Sequence, residues 1–186
     1  MRIILMHGNG GGTADDHWFP YVKSEPTKLD YEVIAVTFPD PILARSDYWL
    51  PFLEHVLLAD QSTILIGHSS GAVAAMRYAE KHKIEGSVLV ATYYTDLGYE
   101  TERRSGYFSA PWNWEAIRNN QRWIIQFAST DDPFIPVEEP RFIHEKLATE
   151  YHEYTDQGHF GCEASPMKTF PKLVEVLTDK LQSDST

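Results

Sequence analysis

The apolar run Thr63-Ile64-Leu65-Ile66, the pentapeptide Gly67-His68-Ser69-Ser70-Gly71 and the helical run Ala72 to Glu80 follow one another without a break. No other stretch constrains the fold as strongly. Glycines at both ends of a G-x-S-x-G turn let a buried strand double back into a helix at close range, and the strained turn lifts the hydroxyl of the central serine clear of the sheet edge. Ser69 is therefore a candidate nucleophile. The competing reading, a tight glycine turn with a solvent-exposed serine, does not call for the strand and helix that flank the turn here.

The rest of the chain repeats that alternation of short apolar runs with amphipathic stretches, which predicts a parallel sheet covered by helices on both faces. Strands are expected at Ile3 to Met6, Glu32 to Thr37, Thr63 to Ile66, Ser87 to Ala91, Trp123 to Ala128 and Tyr151 to Thr155. Helices are expected at Trp18 to Leu29, Tyr48 to Ala59, Gly71 to His82, Trp114 to Asn119, Pro140 to Thr149 and Pro171 to Gln182. Pro51 falls early in the second of these, where proline is tolerated. The 186 residues suit one α/β domain with a mostly parallel six-stranded sheet in the order 2-1-3-4-5-6. No repeat, low-complexity segment or linker interrupts the chain, and the polar tail Ser183 to Thr186 is expected to fray.

Composition narrows the partners. Acidic residues outnumber basic ones by 27 to 16, a net charge of -11 with histidines neutral, which argues against nucleic acid or an anionic membrane. Cys162 is the only cysteine, so neither an internal disulfide nor a thiolate metal cluster can form. No metal or cofactor is expected. Runs of about 18 apolar residues are absent, and the opening Met1 to Gly8 is too short an apolar run for a signal peptide. A soluble protein of the cytoplasm or nucleus is the expectation.

Three further segments could complete a site around Ser69. Met6-His7-Gly8-Asn9-Gly10-Gly11-Gly12 follows the first strand, and a glycine-rich turn there exposes backbone N–H groups suited to a developing oxyanion. Asn9 and Ser70, through their N–H groups, are the expected donors. A phosphate-binding loop is the weaker reading, since no Gly-Lys-Ser/Thr follows and the spacing departs from G-x-G-x-x-G. Asp131 and Asp132 end the fifth strand in a loop stiffened by Pro133 and Pro136, where a carboxylate can orient a histidine. Either could serve on local grounds; a capping or turn role is the ordinary alternative for the other. His159, in Asp156-Gln157-Gly158-His159-Phe160, can reach over the sheet edge to take the serine's proton. His7 and His68 lie near the site but are badly placed as bases, and His17, His55, His82, His144 and His152 read as surface or packing residues.

Chain order Ser, Asp, His is that of the α/β-hydrolases, and the loops after strands one and three flank the point where strand order reverses, where open sheets of this class bind ligands. The stretches His7 to Gly12, Phe38-Pro39-Asp40-Pro41, Ile66 to Glu80, Asp96-Leu97-Gly98, Ser105-Gly106-Tyr107-Phe108, Ser129 to Phe134 and Gly158-His159-Phe160 together resemble the retinoblastoma-binding protein 9 family of small, capless serine hydrolases. The similarity covers nearly the whole chain and is close enough to imply orthology. It implies a three-layer α/β-hydrolase-like fold without a cap domain, and a triad of Ser69, Asp132 and His159. The family's retinoblastoma-docking segment, Leu-x-Cys-x-Glu, falls just before the elbow strand. Here that stretch is Leu57-Leu58-Ala59-Asp60-Gln61, without the cysteine or the glutamate, so retinoblastoma-type binding is not expected.

Trp18, Tyr107, Phe108, Trp112 and Phe134 are the expected walls of a shallow substrate pocket, with ordinary packing as the alternative. Such a pocket would favour small apolar, aromatic or aminoacyl esters or amides, and an acidic surface would suit a cationic amine. A serine hydrolase, carboxylesterase-like or aminopeptidase-like, is the function expected. The other class is a non-catalytic interaction module on an intact hydrolase fold.

Overall fold

The computed structural model describes residues 1–27, 31–162 and 166–183. Six strands, β1 (Arg2–Met6), β2 (Glu32–Ala35), β3 (Thr63–His68), β4 (Gly86–Val90), β5 (Trp123–Ser129) and β6 (Glu150–Tyr154), form one sheet ordered β2-β1-β3-β4-β5-β6. Every neighbouring pair is parallel, with Met6 opposite Gly67 and His68 opposite Val90 in the central register. The all-parallel order follows from the crossovers, each of which carries the chain back over a face through a helix or loop. β3 and β4 are buried along their whole length, which is why they are nearly continuous apolar runs; the edge strand β6 has no fully buried residue and is built of glutamate, tyrosine and histidine instead.

Among the described residues seven α-helices flank the sheet: α1 (Phe19–Thr27), α2 (Ser46–Pro51), α3 (Ser70–Ala79), α4 (Glu100–Ser105), α5 (Trp114–Asn119), α6 (Glu138–Leu147) and α7 (Pro171–Ser183). All ten residues of α3 are buried, so small Ala72, Ala74 and Ala75 let it lie close against the sheet. α1 runs to Thr27; Leu29, its expected end, lies outside the described residues, as do 184–186 of the tail.

The expected continuous helix Tyr48 to Ala59 is not formed. α2 stops at Pro51, which has no N–H to give the preceding turn, and the chain continues as a wider π-helical turn, Phe52–Val56, closed by Leu57 N–H donating to Phe52 O at 2.9 Å. Leu57 to Gln61 is therefore a turn, with Leu58 left-handed at φ 53° and held by Arg2, whose guanidinium donates to the Leu57 and Leu58 carbonyls. α4 was not expected at all: Glu100 to Ser105 has no apolar stripe to signal a helix. Among the described residues no cap domain stands over the sheet, and no helix is long and apolar enough to cross a membrane.

Candidate active site

Ser69 sits between the last residue of β3 and the first of α3 with φ 55° and ψ -121°, a conformation costing a non-glycine residue about 1–3 kcal/mol. The surroundings hold it there. Its N–H donates to Val90 O at 2.9 Å, and its carbonyl takes the Ala72 and Val73 N–H groups at 2.9 and 3.2 Å. The flanking glycines are required by contact: a Cβ on Gly67 would collide with the Gly71 and Ala72 backbone, and one on Gly71 with the carbonyls of Met6 and His7. That close approach brings the elbow against the loop after β1, where Gly8 faces the Ser69 side chain.

Asp132 and His159 meet across 27 residues of sequence, with Oδ2 of Asp132 accepting from Nδ1 of His159 at 2.8 Å. The other carboxylate oxygen accepts from the Phe134 and Ile135 N–H groups at 2.9 and 3.1 Å, so the loop fixes the carboxylate and the carboxylate fixes the ring. Asp131 points elsewhere. Its Oδ1 accepts from Ser129 Oγ and from the Gly158 N–H, holding its carboxyl below the usual carboxylate range, chiefly through the serine hydroxyl. One aspartate addresses the imidazole and the other the backbone just before it.

Two more anchors hold the histidine loop. His68 Nε2 donates to the His159 carbonyl at 2.7 Å, and the Trp18 indole N–H donates to the Phe160 carbonyl at 2.9 Å. A carbonyl only accepts, so His68 carries its proton on Nε2; burial keeps its pKa well below that of a free imidazole. His7 is likewise single-valued. Its Nδ1 donates to Gly8 O at 2.7 Å and its Nε2 accepts the Phe38 N–H at 2.9 Å, with burial again lowering its pKa.

A cleft of about 530 Å³ opens over these groups, lined by His7 to Gly12, Asp16, His17, Phe19, His68, Ser69, Tyr93, Leu97, Phe134, Ile135, His159, Gly161 and Cys162. Ser69 and His159 both face it, and among the described residues no hydrogen bond joins them. Asn9 lies on the same wall, and no described acceptor takes its N–H; the next two N–H groups, of Gly10 and Gly11, are tied to Ile42 and Pro41 carbonyls at 3.0 Å each.

Of the five expected pocket walls only Phe134 lines the cleft, edge-on to His159 at 5.1 Å. Trp18 is in the core beneath the histidine loop, Tyr107 is buried, and Phe108 stacks on Tyr93. Trp112 covers the guanidinium of Arg77 at 3.5 Å. The cause is Arg77 itself, a buried arginine of α3 that donates to the Tyr107 and Ala110 carbonyls at 2.7 Å each and pulls the 106–114 segment down onto the helix. His17, expected to be a surface or packing residue, lines the cleft with its ring 5.8 Å from that of His68, because the neighbouring Trp18 draws the chain inward. An isolated histidine gave no sign of this in the sequence.

Among the described residues no cluster of three or more His, Cys, Asp or Glu side chains is arranged to hold a metal. A family model described as serine hydrolase matches residues 3–179. Serine hydrolase RBBP9 of Rattus norvegicus is 48% identical over 161 residues, 86% of this chain and 87% of the relative. The ydeN gene product of B. subtilis superposes with a TM-score of 0.87 at 22% identity, covering 97% of this chain and 98% of that one. Est1E of Butyrivibrio proteoclasticus gives 0.73 at 11% identity over 98% and 87%. These two likenesses concern the fold, which is that of the α/β-hydrolases.

Proposed function

The chain belongs to the serine hydrolase family, and from that membership we propose that it cleaves small esters or amides through a Ser69–His159–Asp132 triad and an acyl-enzyme. The observation carrying this reading is the 2.8 Å contact of Asp132 with His159 Nδ1, which leaves Nε2 as the basic nitrogen of a ring facing the cleft it shares with Ser69. Ser69 Oγ bonds to the substrate carbonyl carbon as its proton passes to Nε2, and the carbonyl electron pair moves onto oxygen, where the Asn9 and Ser70 N–H groups receive it. His159 returns the proton to the leaving group; water then repeats the sequence on the acyl-enzyme. The gap between Ser69 and His159 closes when substrate orders the cleft, as such contacts often do.

The walls Phe19, Tyr93, Leu97, Phe134 and Ile135 favour an apolar or aromatic acyl group, and Asp16 on the lining suits a substrate amine. Labelling by a fluorophosphonate tests the nucleophile. Ser69→Ala should lose all labelling while its circular dichroism is unchanged; wild-type labelling of that variant sinks the proposal. Paired assays on nitrophenyl esters and aminoacyl amides then separate esterase from aminopeptidase-like activity.

A further inference from the structure

Beneath the cleft lies a buried carboxylate that the triad does not use. Glu102, on α4, is 6% exposed, and among the described residues no lysine or arginine pairs with it. Its two oxygens are taken by polar groups instead: Asn9 Nδ2 donates to Oε1 at 2.6 Å, and the Tyr93 hydroxyl donates to Oε2 at 2.8 Å. The Tyr93 oxygen lies 3.0 Å from Ser70 Oγ. An ionised carboxylate only accepts, so Tyr93 spends its proton on Glu102 and must itself accept from Ser70. Both arms of the hydrogen-bond chain donate toward Glu102, and they start from the side chains of Asn9 and Ser70, the residues whose backbone N–H groups the proposed mechanism assigns to the developing oxyanion.

We infer that Glu102 is a positioning residue of the oxyanion hole, tying Asn9 directly and Ser70 through Tyr93 to helix α4. Asn9 belongs to the loop after β1 and Ser70 to the start of α3, so two donors from separate elements are referred to one carboxylate. Donors of this kind act only if their direction is fixed before charge develops, and a displacement of about 1 Å costs roughly 100-fold. Burial pushes the Glu102 pKa up, the mark of a charge kept in an unfavourable place. The inference rests on the catalytic reading above and adds the residue that aims its donors.

Glu102→Gln keeps the shape but cannot accept from both neighbours. It should lower kcat about tenfold to 100-fold with KM within about twofold. Affinity for a trifluoromethyl ketone, which becomes an oxyanion when Ser69 adds to it, should fall in parallel, while the matching non-electrophilic alcohol binds as before. Tyr93→Phe cuts only the Ser70 arm and should show the same split with a smaller loss, which keeps the test available if Glu102→Gln does not fold. Unchanged kcat in both variants overturns the inference alone, and so does an equal loss of ketone and alcohol binding, which would mean a general structural role. Absence of Ser69-dependent hydrolysis in the wild-type chain overturns it together with the triad.

Discussion

The two halves of the candidate site are held by different means. Ser69 is fixed by backbone: a strand, a helix, two glycines whose neighbours leave no room for a side chain, and main-chain bonds to Val90, Ala72 and Val73. His159 is fixed by side chains arriving from elsewhere, namely Asp132 on its ring, Asp131 on Gly158, His68 on its own carbonyl and Trp18 on that of Phe160. A backbone solution is local and leaves a signature in five consecutive residues. A side-chain solution is dispersed, and each of its parts looks ordinary until the chain has folded.

Asp132→Asn attacks the dispersed half at its centre and should give the largest effect. By favouring the wrong imidazole tautomer it should lower turnover by about 10⁴. Asp131→Asn, which loosens the loop without touching the ring, should cost far less; equal losses in steady-state assays would erase the distinction between the two aspartates. Gly71→Ala attacks the local half. Alanine is the better helix former, so an exposed helical site would gain stability, yet here the added methyl meets the Met6 and His7 carbonyls. Denaturant melts should show a loss of about 1–3 kcal/mol or more, with activity falling too. A stability gain would show that strand and helix are free to part.

Acid tests the point where the halves join, and its effect should be the smallest. Burial lowers the pKa values of His7, His17 and His68 from about 6.5. With the folded values depressed, the unfolded chain binds more protons below that pH, so stability should fall as pH drops through the range just under 6.5. Glu102, whose pKa burial raises from 4.5, works in the opposite direction: its contribution is lost as pH rises above 4.5. Thermal melts between pH 7.5 and 5.5 check this; a flat profile would mean that the three rings reach water.

The same contrast explains what could be read beforehand. Strand order, the elbow and the residues of the candidate triad were legible because periodicity, glycine spacing and chain order carry them, helped by the resemblance in choosing between Asp131 and Asp132. The cleft walls were not. Aromatic composition after β4 suggested a pocket, but the fate of Tyr107 and Trp112 was decided by Arg77, about thirty residues earlier in the chain, which nothing in the sequence marked as buried. Glu102 was missed for a related reason: the charged run Glu100 to Arg104 carries no signal of burial, and its buried carboxylate is identified only by Asn9 and Tyr93 closing over it.

Arg77 has a mechanical consequence as well. It sits on α3, whose first residue is Ser70, and grips the Tyr107 carbonyl just beyond the left-handed Gly106 that ends α4. Glu102 on α4 reaches back through Tyr93 to Ser70. Helix, arginine, segment, second helix, carboxylate, phenol and serine therefore form a closed ring of struts. A ring of that kind is a truss rather than a hinge: α4 cannot slide along α3 without stretching a strut at one end or the other, so the floor of the cleft moves with the nucleophile as a single piece.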